Sequence, residues 1–192
     1  MSTTAAPTRL STTSSARAAA SALRRLYFVR FAFALLWALV MFTMEDRISP
    51  AGAVLLVLYP LFDVGAAVVD ARASRTTGAP GLLYVNVAVS LLAAAGAGVA
   101  CASGIPAVLR VWGAWAFVSG LVQLAVALSR RALGGQWPMI LSGAVSALAG
   151  ASFVASAGAD DPALTGAIGY AVPGGVFFLV SALRLGRASR TE

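Results

Sequence analysis

Long apolar stretches alternate with short polar segments along most of this 192-residue chain. Six of the stretches are close to the roughly 20 residues that an α-helix needs to cross a bilayer. They lie at about 26–44, 50–70, 82–102, 106–129, 138–157 and 162–184. The pattern predicts an all-α membrane protein with six transmembrane helices, in which each odd helix and the even helix after it form a hairpin.

The segment before the first apolar stretch is rich in Ser, Thr and Ala, carries scattered Arg and has no periodic apolar face. Such a composition is typical of disorder, and it predicts a disordered cytoplasmic leader over 1–24. A cleaved signal peptide and an organellar transit peptide are the alternatives. We favour an uncleaved first span, because the apolar run that follows is longer than that of a usual signal peptide.

A constant spacing of i to i+56 relates the three hairpins. Pro-Ala pairs recur at this spacing, and an arginine follows each pair at the same distance along the chain. The pairs begin at Pro50, Pro106 and Pro162, and the arginines are Arg75, Arg131 and Arg187. A fixed period of this kind indicates tandem structural repeats. It predicts one domain at 25–192, built from parallel repeats 25–80, 81–136 and 137–192 that could be related by pseudo-threefold symmetry.

Prolines mark two kinds of position in the even helices. Pro50, Pro106 and Pro162 are predicted in the first turn, where the missing N–H costs nothing and the ring fixes a helical φ. Pro60 and Pro173 fall inside even spans, where membrane helices tolerate them if neighbours satisfy the freed backbone groups. They could be static kinks or hinges.

Arginine is concentrated at one end of the predicted spans. Only Arg47 and Arg110 lie at the other end. Because cytoplasmic loops carry the excess of positive charge, both termini are predicted to be cytoplasmic. The Ala-, Gly- and Arg-rich composition suggests a bacterial gene, and hence a multi-pass protein of the bacterial plasma membrane.

Composition narrows the chemistry. The chain is 59% hydrophobic and 11% charged, against about 45–50% apolar and about 25% charged in soluble domains. Its net charge of +7 does not indicate nucleic acid, because most arginines lie in the leader or at helix ends. Zinc sites need His, Cys or carboxylate clusters, and the chain has no His and one Cys. We predict a non-enzymatic protein without metal or cofactor, whose partner is the lipid bilayer; a homo-oligomer stays open.

The odd helices carry a stripe of small and polar residues at helical spacing. Residues at i, i+4 and i+8 share one face of a helix. The stripe consists of Arg30, Ala34 and Ala38, then Asn86, Ser90 and Ala94, then Ser142, Ser146 and Gly150. It predicts either a close-packed seam between helices or a polar path around a central axis.

Asp63 is an intramembrane carboxylate and therefore a functional hypothesis by default. The first hairpin is predicted to turn between Thr43 and Pro50. Arg30 lies 13 positions before Thr43, and Asp63 lies 13 positions after Pro50. At a rise of about 1.5 Å per residue, both lie roughly 20 Å from the hairpin turn. Equal depth predicts an ion pair between Arg30 and Asp63, provided that their helix faces coincide. This pair is the structural alternative to a functional carboxylate.

Two further polar residues lie at similar depth in the second hairpin. Asn86 on the third span and Gln123 on the fourth are predicted to hydrogen-bond to each other. Interhelical bonds of this kind average about 0.6 kcal/mol in measured membrane proteins.

Several segments together resemble the HdeD-type acid-resistance membrane proteins. They are Phe117-Val118-Ser119-Gly120, Arg130-Arg131, Gly135-Gln136-Trp137 and Leu141-Ser142-Gly143, in the context of three hairpins that each return through a proline. The resemblance covers roughly residues 25–190. It implies a six-span inner-membrane protein with a role in envelope or acid stress, and it supplies no catalytic residues. The rival hypothesis is a small-solute or ion/proton transporter that uses the polar stripe and Asp63.

Overall fold

The computed structural model describes residues 7–44, 47–73, 80–133 and 136–188. These residues form six α-helices and no strand. The helices are α1 (Pro7–Phe42), α2 (Pro50–Ala73), α3 (Pro80–Ala100), α4 (Ile105–Ser129), α5 (Trp137–Ser156) and α6 (Thr165–Ala188). The predicted all-α fold class is confirmed.

Each helix contains an apolar segment of 20 to 25 residues with a mean hydropathy between 1.7 and 2.1. At most 33% of the apolar window of each segment is buried, and the bundle surface carries large apolar side chains such as Leu36, Leu92 and Leu148. A bundle in water would bury such side chains, whereas lipid solvates them without cost. By length, composition and surface, the chain is a multi-pass membrane protein.

The helices pair in a cyclic order. Each even helix packs most extensively on the odd helix that follows it: α2 on α3, α4 on α5, and α6 on α1. The contacts of α1 with α2, α3 with α4, and α5 with α6 are smaller. We call the end that contains residues 43–44, 47–49, 101–104 and 157–164 the hairpin end, and the opposite end the terminal end.

Glycines bring α4 and α5 into the closest contact. Gly113 and Gly120 on α4 face Gly143 and Gly150 on α5, and the two glycines of each helix are spaced i, i+7. A Cβ atom added at Gly120 or Gly143 would lie 2.6 Å from a backbone nitrogen of the facing helix. Only glycine permits this separation, which is the small-residue packing expected between membrane helices.

The interior differs between the two ends. Toward the hairpin end lies an aromatic cluster of Trp37, Tyr59, Trp112 and Trp115, with ring centroids 4.7 to 5.8 Å apart. Buried aliphatic side chains, among them Leu56, continue this core. The terminal end has a smaller apolar cluster and most of the buried charge.

Two even helices begin as predicted. Pro50 is the first residue of α2, and Ser49 Oγ accepts a hydrogen bond from Gly52 N at 3.0 Å. Pro106 is the second residue of α4. Gly104 precedes it with φ 93°, a conformation that favours glycine, and supplies no side-chain cap.

The predicted start of the last helix is wrong. Pro162 lies in the turn, and α6 begins at Thr165. The first helical hydrogen bond runs from Ile168 N to Leu164 O at 2.9 Å. Leu164 is 2% exposed and belongs to the core at the hairpin end, so tertiary packing of this side chain sets the start of the helix.

The first helix is longer than predicted. α1 begins at Pro7, so residues 7–24 are helical where disorder was expected; residues 1–6 lie outside the described part. Leu23 is 1% exposed and packs with Tyr27 and Leu185. This packing stabilises a helix that composition alone does not favour. The division into leader and membrane domain stays a prediction.

Both even helices with internal prolines continue through them. Pro60 lies inside α2 and is buried, and Pro173 lies inside α6. Neither helix is divided at its proline, so a break of the helix at these positions is not observed.

Candidate functional site

The predicted ion pair between Arg30 and Asp63 is confirmed. Arg30 Nη2 of α1 donates to Asp63 Oδ1 of α2. The guanidinium also lies 4.5 Å from the centroid of the Phe178 ring, which provides a cation–π contact from α6. Asp63 is 5% exposed, so its charge is compensated by a partner rather than by solvent.

Asp63 also accepts hydrogen bonds from the third helix. Asn86 Nδ2 donates to Asp63 Oδ2 at 2.6 Å, and Ser90 Oγ donates to the same oxygen at 2.8 Å. Trp115 Nε1 of α4 donates in turn to Ser90 Oγ at 2.9 Å. We call these residues, with Arg30, the Asp63 network. Charge-assisted bonds, which are stronger than neutral ones, join α1, α2 and α3, and the neutral bond from Trp115 adds α4.

The expected hydrogen bond between Asn86 and Gln123 is not formed. Asn86 donates to Asp63, and Gln123 Nε2 donates to Met139 O at 3.3 Å. A carboxylate is a stronger acceptor than an amide oxygen, which accounts for the partner of Asn86.

The odd-helix stripe faces the interior of the bundle. Ala34, Ser90, Ala94 and Ser142 are buried, and Ser146 hydrogen-bonds the Tyr170 hydroxyl of α6. The small residues of the stripe lie in helix contacts, and its polar members line cavities. A polar path around a central axis stays a prediction.

A second buried ion pair lies nearer the terminal end. Arg130 Nη1 is 2.8 Å from Asp70 Oδ1 and 3.1 Å from Oδ2. Arg130 is 2% exposed and Asp70 6% exposed. The sequence does not predict this pair, because Arg130 stands beside Arg131 in the Arg-rich end of the fourth span, with no acid nearby in the chain. The available signal was Asp70 itself, an acid at the Arg-rich end of the second span.

Two small cavities lie inside the bundle and meet at the Arg30–Asp63 pair. One, of about 60 Å³, extends from this pair to Arg130 and Asp70, and we call it the inter-pair cavity. The other, of about 90 Å³, extends toward the aromatic cluster, and we call it the aromatic cavity. The residues shared by both linings are Arg30, Asp63, Ser119, Gln123 and Phe178.

All five predicted polar site residues line these cavities. Asn86 lines the inter-pair cavity and Ser142 the aromatic cavity, while the other three line both. In the described part of the chain, no group of three or more His, Cys, Asp or Glu side chains is arranged to hold a metal ion.

No protein-family model matches this chain, and neither a curated protein nor a solved structure is significantly similar to it. Fold and interior define its class as a multi-pass, all-α membrane protein with a buried network of paired charges.

Proposed function

We propose that this protein is a non-enzymatic, HdeD-like protein of the bacterial plasma membrane that acts in envelope or acid stress. The context comes from the sequence resemblance over residues 25–190. The observation that favours a non-transporting protein is the saturation of Asp63, whose carboxylate binds Arg30, Asn86 and Ser90. A carboxylate with three side-chain partners on two neighbouring helices stabilises the bundle and is poorly placed to exchange a substrate.

We also propose that the bundle is built from three parallel hairpin repeats. The cyclic pairing of each even helix with the next odd helix supports it, because hairpins around one axis would pack in this way. Two contacts also occur at equivalent positions of the repeats. Asp63 of α2 contacts Ser90 of α3. The positions that correspond to these two in α6 and α1 are Gly175 and Ala34, and they are also close together, since a Cβ added at Gly175 would lie 3.3 Å from Ala34 Cβ.

The proposed orientation has both termini in the cytoplasm, following the arginine distribution. Reporter fusions after residue 192 and within 76–80 are expected to give cytoplasmic signals, and a fusion at 158–160 an external one. A cytoplasmic signal at 158–160 would refute the orientation.

The stress role is tested by survival at low pH. A strain that lacks the gene should survive less well than its parent, and the wild-type gene should restore survival. A gene with Ser152→Ala, a change on an exposed face of α5, serves as the control for expression and should restore it equally. Unchanged survival of the deletion strain would remove the stress role.

A second candidate function is a small-solute or proton transporter. The observation that favours it is the position of Asp63 between two cavities, one on each side of its ion pair. Purified protein in liposomes that contain a pH-sensitive dye would then show proton flux, and Asp63→Asn would abolish it. The Arg30→Gln/Asp63→Asn double variant restores charge balance but lacks the carboxylate. Flux that is absent in the wild type, or retained in the double variant, would contradict transport through Asp63.

A further inference from the structure

Four buried polar atoms on residues that line the inter-pair cavity have no hydrogen-bond partner in the described part of the chain. They are Nε and Nη2 of Arg130, Oδ1 of Asn86 and Oγ of Ser119. A buried donor or acceptor without a partner has lost its hydration and gained no hydrogen bond in exchange, and this penalty is larger when the group is charged. Four such atoms around one cavity indicate a common partner inside it.

The cavity has the size and the balance of polar groups that water requires. A volume of about 60 Å³ has room for about two to four water molecules, at about 15 Å³ of accessible space or about 30 Å³ of liquid volume for each. Its lining offers both donors, on Arg130, and acceptors, on Asn86 and the carboxylates. A buried water needs two to four polar partners, and this lining supplies them.

Charge balance argues for an uncharged occupant. Two arginines and two aspartates line the cavity and form two ion pairs, so their formal charges cancel. An anion would meet Asp63 and Asp70, and a cation would meet Arg30 and Arg130. Either ion would have to be stripped of its hydration shell, which costs far more than the transfer of a neutral molecule.

We propose that the inter-pair cavity is a hydration site, in which a cluster of about two to four bound water molecules bridges the Arg130–Asp70 pair to the Asp63 network. The bridge makes the two ion pairs one continuous hydrogen-bonded unit, from the middle of the bundle to its terminal end. It is independent of the proposed stress role, because it concerns only the interior of the bundle.

Radiolytic labelling tests the proposal on the full-length protein in lipid nanodiscs. A short X-ray pulse converts water to hydroxyl radicals, which oxidise the nearest methionine, and mass spectrometry locates the added oxygen. Met139 lines the cavity and is 3% exposed, while Met41 is 1% exposed within the apolar core at the hairpin end. We expect Met139 to be oxidised well above Met41. Equal labelling of both, at a low or a high level, would overturn the proposal.

Two cavity-filling variants test whether water in the inter-pair cavity causes the oxidation of Met139. Ser119→Val replaces an unpartnered hydroxyl by methyl groups, and Ala67→Val adds methyl groups at another lining position. Either should reduce the oxidation of Met139 to the level of Met41. Ser152→Val, the same change at an exposed position of α5, should leave it unchanged. Undiminished oxidation of Met139 in a folded filling variant would also refute the hydration site.

Discussion

The two buried ion pairs share one helix but are held in different ways. Asp63 and Asp70 both lie on α2 at an i, i+7 spacing, and residues at that spacing share a face. Their partners come from two different segments of the chain, Arg30 from α1 and Arg130 from the position directly after α4. In the first pair the acid has additional donors, whereas in the second the arginine has nitrogens without a protein partner in the described part of the chain.

This difference predicts unequal consequences when a partner is removed. After loss of Arg30, Asp63 keeps hydrogen bonds from Asn86 and Ser90. After loss of Arg130, a buried Asp70 loses a partner that is itself almost fully enclosed. The Asp63 network therefore keeps hydrogen bonds when its arginine is lost, whereas the second pair loses both contacts that Arg130 Nη1 makes with the Asp70 carboxylate.

The largest expected effect is at Arg130. Arg130→Gln should lower the free energy of unfolding by about 3–5 kcal/mol, because it removes the charged partner of a buried carboxylate. Arg131→Gln is a matched control at the next position, where the arginine is exposed, and should cost little. Thermal unfolding in detergent measures both. Equal losses would show that the burial of Arg130 does not matter.

A smaller effect is expected at the Arg30–Asp63 pair. Arg30→Gln and Asp63→Asn should each cost about 3 kcal/mol, at the lower edge of the range for a broken buried pair. The double variant should recover part of the combined loss, as measured by the same unfolding assay. Strictly additive losses would mean that the two residues do not interact energetically. A loss for Arg30→Gln above that for Arg130→Gln would reverse the comparison.

The third-largest loss of stability is expected when a supporting hydrogen bond to Asp63 is removed. Asn86→Leu keeps the approximate volume and removes one hydrogen bond to a charged group, at a cost of about 2 kcal/mol. Combined with Arg30→Gln, it should cost more than the sum of the two single losses, since Asp63 then keeps only Ser90 of its observed side-chain partners. Simple additivity would show that Asn86 does not compensate for Arg30.

The smallest effect is expected at the edge of the network. Trp115→Phe removes the neutral hydrogen bond from Nε1 to Ser90 Oγ and should cost about 1 kcal/mol. Trp137→Phe is the control, because Trp137 is 74% exposed. A loss at Trp115 as large as that at Asn86 would extend the strong part of the network to α4.

The repeat pattern and the site differ in how far the sequence could predict them. Matching positions at the i, i+56 spacing led to the hairpins and to the starts at Pro50 and Pro106. The same spacing misplaced the start of α6, because Leu164 packs into the core and delays the helix to Thr165. Matching residues at this spacing therefore do not predict how the side chains of each individual turn pack.

Residue pattern and residue counts were sufficient to predict six apolar helices, the all-α class and the equal depth of Arg30 and Asp63. A bilayer has a fixed thickness and a helix a fixed rise per residue, so counting residues from a turn gives depth in the membrane. Which helix faces which became visible in the folded bundle alone, and with it the contact of Arg30 with Asp63, the Arg130–Asp70 pair and the close contact of α4 with α5. Rotation about each helix axis, and the order of helices around the bundle, depend on side-chain packing between segments far apart in the chain, and residue counts carry no record of it.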